Sequence, residues 1–249
     1  MQLYFIRHGQ SINNANTRNK GYAEHSDPYL TEIGKQQAKR TAQYLKENQT
    51  IKHNDPWNSQ NQFGFGITHI YTSLMERAAE TAAHITRALG DVPLSAWMDI
   101  HEEGGIFARE KENHFEGLPG KPRSFFEQHV PEMTLPASLD ESGWWNKRPF
   151  ETDEERQFRA EKVLAELIQK HGDKEGRQEA RIIFVSHGGF FMRFMCAVLK
   201  LPWRQAAHDY RSWFLLNNCS ISRFDFREDH ATISYLNNTR HLPADLITG

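Results

Sequence analysis

Two segments of the sequence close an apolar run on a histidine followed by glycine: Phe5 to Gly9 (FIRHG) and Phe184 to Gly189 (FVSHGG). Runs of this kind read as strands buried on both faces. Each histidine is therefore expected at the carboxyl end of a strand, the edge where open α/β sheets bind ligands. Arg7 stands beside His8, and Arg77 opens a helical stretch just after the strand-like ITHIYT. A phosphate monoester carries about two negative charges near neutral pH, and the planar fork of a guanidinium matches its oxygens. Two imidazoles and two guanidiniums gathered at one edge would suit a phosphoryl group, with an imidazole nitrogen as nucleophile. Glycine beside each histidine would let a ligand approach the backbone, so Gly188 is read as part of the phosphate cradle.

Those residues need a frame. Residues 2–6, 67–72, 94–98 and 181–186 read as strands, and 213–226 with 231–236 as a hairpin turning at Arg227 to His230. Between them lie helical patterns. One runs from Thr31, a plausible N-cap, to Lys46, with Ile33, Ala38, Ala42 and Leu45 on one face. A second runs from Met75 to Leu89 and stops at Gly90. A third spans 153–171, with Phe158, Val163, Leu164, Leu167 and Ile168 as its apolar stripe. A fourth follows His187 through Leu199. This alternation predicts an α/β fold, a three-layer sandwich with a mostly parallel central sheet and helices on both faces. Residues 49–66 are polar and contain Pro56, as a long loop would. Residues 103–150 carry five prolines with Trp144 and Trp145, and read as an irregular insertion over the site within a single domain of residues 1–249.

Composition excludes several classes. With 249 residues and a formal net charge of -2, the chain lacks the basic excess of a general nucleic-acid binder. No run approaches the roughly 20 apolar residues of a membrane span, and MQLYFIRHG does not read as a secretory signal. The expectations are no nucleic acid, no membrane and a cytoplasmic location. Cys196 and Cys219 each sit in apolar surroundings and read as buried hydrophobes. His101-Glu102 lacks a second histidine at HExxH spacing, and no CxxC, Walker A or dinucleotide fingerprint is complete, so neither metal nor cofactor is expected.

Five ordered segments now form a pattern: LYFIRHGQSINN (3–14), DPYLTEIGKQQA (27–38), YTS through RAAETA (71–82), VSHGG (185–189) and NCSI (218–221). Together they resemble the histidine phosphatase superfamily, which includes the cofactor-dependent phosphoglycerate mutases. The resemblance implies His8 as nucleophile, with Arg7, Arg77 and His187 on the phosphoryl oxygens. It implies Asn14 as a further phosphate contact, with Asn13 the competing choice. It implies a carboxylic acid for the leaving oxygen: Glu102 in Ile100-His101-Glu102, with Glu103 as the alternative. Gln10 stands where mutases resemble one another in Glu, which favours a phosphatase over a mutase. An inactive phospho-ligand binding module would show a degraded set, and this set is complete. The implied partner is a small phosphorylated substrate, and Lys121, Arg123, Lys147 and Arg148 of the insertion could meet a second anionic group on it.

Overall fold

The computed structural model describes residues 1–17, 24–53, 58–111, 114–173, 179–201, 214–227 and 230–249, without the side chains of residues 110 and 111. The chain runs through β1 (Gln2–Arg7), α1 (Ile12–Asn16), α2 (Glu32–Glu47), β2 (His69–Thr72), α3 (Glu76–Leu89) and β3 (Leu94–Ala96). Next come β4 (Phe107–Lys111), β5 (His114–Gly117), α4 (Arg123–His129), β6 (Met133–Thr134) and α5 (Asp153–His171). It ends with β7 (Arg181–Ser186), α6 (Gly188–Leu199), β8 (Ile221–Arg227) and β9 (His230–Asn238). Seven strands form one sheet in the order β6-β3-β2-β7-β1-β8-β9, parallel from β6 to β1 and antiparallel at β8 and β9.

The period-two alternation of β1 builds both outer layers. Tyr4 and Ile6 pack with Ala42 and Leu45 of α2 and with Ala78, Ala79 and Ala82 of α3. Leu3 and Phe5 face the other way, into Val163 and Leu167 of α5 and Phe191 and Phe194 of α6. Small alanines let α3 lie close on the sheet; the phenylalanines of α6 fill the opposite side. Thr31 caps α2 as expected, accepting from Gly34 N, and α3 stops at Gly90 with φ 73°.

Several expectations need correction. Phe158 and Ile168 point outward from α5, 68% and 40% exposed; Ala160, Val163 and Leu167 hold the buried face. The true stripe is narrower than the apolar letters suggest. Ile33 is likewise exposed, and Gly34, Gln37 and Thr41 are buried in its place because the start of α2 lies against the loop after β1. The 103–150 segment is less irregular than its prolines imply. It holds the separate β4–β5 hairpin, the helix α4 and the strand β6, which extends the main sheet beside β3. The hairpin of the C-terminal strands is present as β8 and β9; Trp213, Glu228 and Asp229 of that expectation, and Pro56 of the 49–66 loop, lie outside the described residues. No helix among the described residues is long and apolar enough to cross a membrane.

Candidate active site

β1 and β7 are parallel neighbours with Arg7 paired to Ser186, so residues 8 and 187 leave the sheet side by side. Their rings lie 5.0 Å apart between centroids. His8 is tied to the frame through its main chain: its N–H donates to Ser186 O at 2.9 Å, and its carbonyl accepts from Asn218 Nδ2 at 3.0 Å. The next residues are gripped by α2 and α3. Gly9 N donates to Thr81 Oγ1 at 3.1 Å, Gln10 N to Gln37 Oε1 at 2.8 Å, and Thr31 N to Gln10 O at 2.9 Å. A side chain at Gly9 would meet Gly34 O at 2.5 Å, and one at Gly34 would meet Gln10 O at 2.2 Å. The two glycines therefore let the nucleophile loop and the start of α2 touch, which is the physical content of the DxxLTxxG stretch.

The His8 ring has an assigned tautomer. Nδ1 lies 2.7 Å from Gly9 O, an acceptor only, so the proton sits on Nδ1. Nε2 is then a lone pair, and it accepts from Arg77 Nε at 3.1 Å. Burial, then Arg77, then Arg7, hold this imidazole neutral well below its ordinary 6.5. Arg77 is held in turn: its carbonyl accepts from Thr81 Oγ1 at 2.7 Å, and its Nη1 is 3.9 Å from Asp27 Oδ1. Asp27 also accepts from Glu76 N at 3.1 Å, and burial pushes its carboxyl up to about 6 against the pull of Arg77. Arg7 donates through Nη1 to Leu216 O, and its buried Nε has no hydrogen-bond partner.

His187 is wholly buried. Its Nε2 lies 2.6 Å from Ser73 Oγ, while Nδ1 is buried without a partner. The Ser73 oxygen already accepts from Met75 N at 3.3 Å, and its own proton is best placed on Nε2 of His187. That puts the ring proton on Nδ1, a spare donor beside His8.

Glu102 sits on the first turn of α6. Its carboxylate accepts from Gly189 N at 3.2 Å, Phe190 N at 2.9 Å and Glu103 N at 2.9 Å. Glu103, the alternative acid, is spent on an ion pair with Arg193 Nε at 2.7 Å and lies 3.6 Å from Arg156 Nη1. The loop carrying Glu102 is anchored from behind: Ser186 Oγ donates to Ile100 O at 2.7 Å, and Arg159 joins Glu151 to the carbonyls of Asp99 and His101. Gly188, read as part of the phosphate cradle, has open space beside it. A side chain there would find only Arg7 Nε, at 3.8 Å, whereas one at Gly189 would stand 2.4 Å from Glu102 Oε1. The indispensable glycine makes room for a carboxylate of the protein itself.

Residues 3–62 and 59–239 match the histidine phosphatase superfamily, branch 1. The chain belongs to that superfamily. A probable phosphoglycerate mutase GpmB from Shigella boydii serotype 18 is 30% identical over 230 residues, 92% of this chain and 86% of the relative. Among solved structures, a phosphoserine phosphatase mutant from Entamoeba histolytica in complex with phosphoserine aligns with TM-score 0.56 at 22% identity, covering 97% of this chain and 99% of that one. A mycobacterial glucosyl-3-phosphoglycerate phosphatase complexed with VO3 aligns with TM-score 0.59 at 18% identity, covering 96% and 99%. Identities this low speak to the shared fold.

In this histidine phosphatase-superfamily chain the site opens into a cavity of about 510 Å³, walled by Arg7, His8, Asn13, Asn14, Arg77 and Glu102 among others. His187 and Gly188 do not reach its surface. Asn14 Oδ1 accepts from Ser11 N and from Asn218 Nδ2, at 3.1 and 3.2 Å, so its amide NH2 is the end turned to a ligand. Asn13 instead exchanges hydrogen bonds with the main chain of His25. Four cations expected to meet a second anion are engaged elsewhere or absent from the wall. Lys121 pairs with Glu76 at 2.9 Å, Arg123 binds Glu127 and the carbonyls of Leu139 and Pro136, and Arg148 stacks on Trp145. Lys147 is exposed. Sequence reasoning missed Ser73, Thr81 and Arg109, which lines the cavity. Ser73 and Thr81 stood within the 71–82 segment without a role of their own, and the signal for Arg109 was the alternation of β4. Among the described residues no group of three or more His, Cys, Asp or Glu could hold a metal ion.

Proposed function

We propose that the chain hydrolyses phosphate monoesters through a phosphohistidine on Nε2 of His8, without a metal ion. The observation that carries this is the 2.7 Å contact from His8 Nδ1 to Gly9 O, which leaves Nε2 as the lone pair of a neutral ring. With the site empty, that lone pair accepts from Arg77. A phosphoryl group offers three anionic oxygens, draws the guanidinium onto itself and frees Nε2 for in-line attack. The N–P bond forms as the P–O bond to the leaving group breaks, and Glu102 gives a proton to the departing oxygen. As carboxylate, Glu102 then takes a proton from water, whose oxygen attacks phosphorus and breaks the N–P bond. Arg7 and Arg77 stabilise the charge on the equatorial oxygens, Asn14 helps orient them, and His187 packs behind the nucleophile with its ring 5.0 Å from that of His8.

The test is a panel of phosphate monoesters assayed with EDTA present, together with a rapid quench of the chain on a labelled ester. Phosphate release unaffected by the chelator is expected, with a protein-bound phosphoryl group stable in base and lost in acid. Absence of release, or its loss on chelation, would sink the proposal. The mutase named among the relatives makes a different prediction: phosphoglycerate would be isomerised with no phosphate set free.

Two residues give sharper tests. Arg77→Ala is expected to lower kcat by about 10²- to 10³-fold, the usual loss for one transition-state donor. It should also move the acid limb of the pH–rate profile upward, because Arg77 is one of the charges that keep His8 deprotonated. A lysine at this position should not restore the rate, since it cannot donate to His8 and to an oxygen from one planar group. A profile whose acid limb stays in place would show that Arg77 does not act on the nucleophile.

Gly189→Ala is expected to fold, because the atoms it strikes, the carboxylate end of Glu102 and Cγ of Glu103, belong to side chains and not to backbone. It should slow release about 10- to 100-fold by pushing that carboxylate off the helix, with the largest loss for esters of poor leaving groups. Gly188→Ala should cost far less. Equal effects at the two positions, measured by steady-state kinetics, would contradict this placement of Glu102.

A further inference from the structure

The geometry points to a second anion subsite at Arg109, and hence to a substrate with a carboxylate or a second phosphate a short distance from the phosphate that is removed. This rests on the phosphoryl group being seated at His8. After Glu102 the chain builds one wall of the cavity, and there Gly105, Phe107 and Arg109 face inward in alternation. Phe107 and Arg109 are two residues apart on β4, about 7 Å along a strand. The wall thus leads from the acid, past an aromatic ring, to a guanidinium.

That guanidinium is available. Arg109 is exposed, its guanidinium lies 5.4 Å from the Phe115 ring, and among the described residues no carboxylate pairs with it. Arg7 and Arg77 are committed around His8, and Lys121, Arg123 and Arg148 are engaged as described above. Arg109 is therefore the cavity cation left to read the far end of a ligand. Glu24 also lines the cavity, yet does not pair with it. An anion bonded by a guanidinium fork gains more than a neutral hydroxyl at the same place. A cavity of about 510 Å³ accommodates a small metabolite with both groups.

The test uses three-carbon probes that differ at the tail: glycerol phosphate, phosphoglycerate and a propanediol bisphosphate. Binding is measured by calorimetry on His8→Ala, which does not turn them over. One or both anionic tails are expected to bind about 10- to 100-fold tighter than glycerol phosphate, and the tail preferred identifies carboxylate or phosphate as the natural group. Adding Arg109→Gln should collapse that ratio towards one while leaving glycerol phosphate unchanged, and Arg109→Lys should keep part of it. No tail preference, a ratio untouched by Arg109→Gln, or equal weakening of all three probes would overturn the inference. Turnover by the unaltered chain is scored separately. Lack of phosphate release from every ester would defeat the phosphatase proposal, while the binding ratios would still report on Arg109.

Discussion

Replacing His8 by alanine is expected to reduce kcat for phosphate release by at least about 10⁴-fold and to leave no acid-labile phosphoryl group on the chain. His187 is the nearest imidazole, but it is wholly buried, its Nε2 is bonded to Ser73, and it does not reach the cavity. Cys219 is buried as well, and its thiol is pushed up to about 12, so it supplies no thiolate. The substitution should leave the fold intact, because the bonds that hold residue 8 to Ser186 and Asn218 are made by its main chain. Circular dichroism and a urea midpoint close to those of the parent would establish that. Residual phosphoenzyme on the variant, mapped to any other peptide, would show that the nucleophile has been misassigned.

The same residue illustrates how far the sequence alone could be read. The strand ends were legible because an apolar run stopped by Arg-His-Gly or Ser-His-Gly has few other solutions, and the register of β1 against β7 then brings the two histidines together. What could not be read was the direction of polar contacts. Gly188 and Gly189 are equivalent letters, and only the position of Glu102 across the loop decides which one must be glycine. Ser73 looked like an ordinary residue after a strand, yet its hydroxyl lies 2.6 Å from Nε2 of His187 and holds that ring in place. The apolar stripe of α5 was over-read at Phe158 and Ile168 because period 3.6 says which letters share a face, not how wide a face the sheet can cover. The insertion misled most. Its prolines signalled irregularity, while Phe107-Ala108-Arg109 carried a plain strand alternation that places a cation on the cavity wall.

Mild acid is expected to destabilise the protein, with stability falling by about 3 kcal/mol per pH unit once the pH drops below roughly 6. His8, His101 and His187 are all buried, and in each case burial is the first cause holding the ring neutral well below 6.5. An unfolded chain protonates these rings as pH passes below 6.5, and the folded chain does not. The unfolded state therefore binds more protons in this window, and stability is lost as pH falls. Asp27 works in the opposite sense. Its folded value of about 6 lies above the ordinary 3.8, so the folded chain takes up a proton that the unfolded chain declines. Three protons set against one leave a net of two, each worth about 1.4 kcal/mol per pH unit. His171 and His241, both brought down to about 4, are only partly buried and are left out of that arithmetic. A loss of about 4 kcal/mol over one and a half units is a large part of the 5–15 kcal/mol typical of a domain. Urea titrations from pH 7 to 4.5 measure the slope. His101→Gln removes one of the three rings without touching the cavity wall and should lower the slope by about one proton, or 1.4 kcal/mol per unit. A slope unchanged by that substitution would mean that the buried imidazoles do not govern the acid limit.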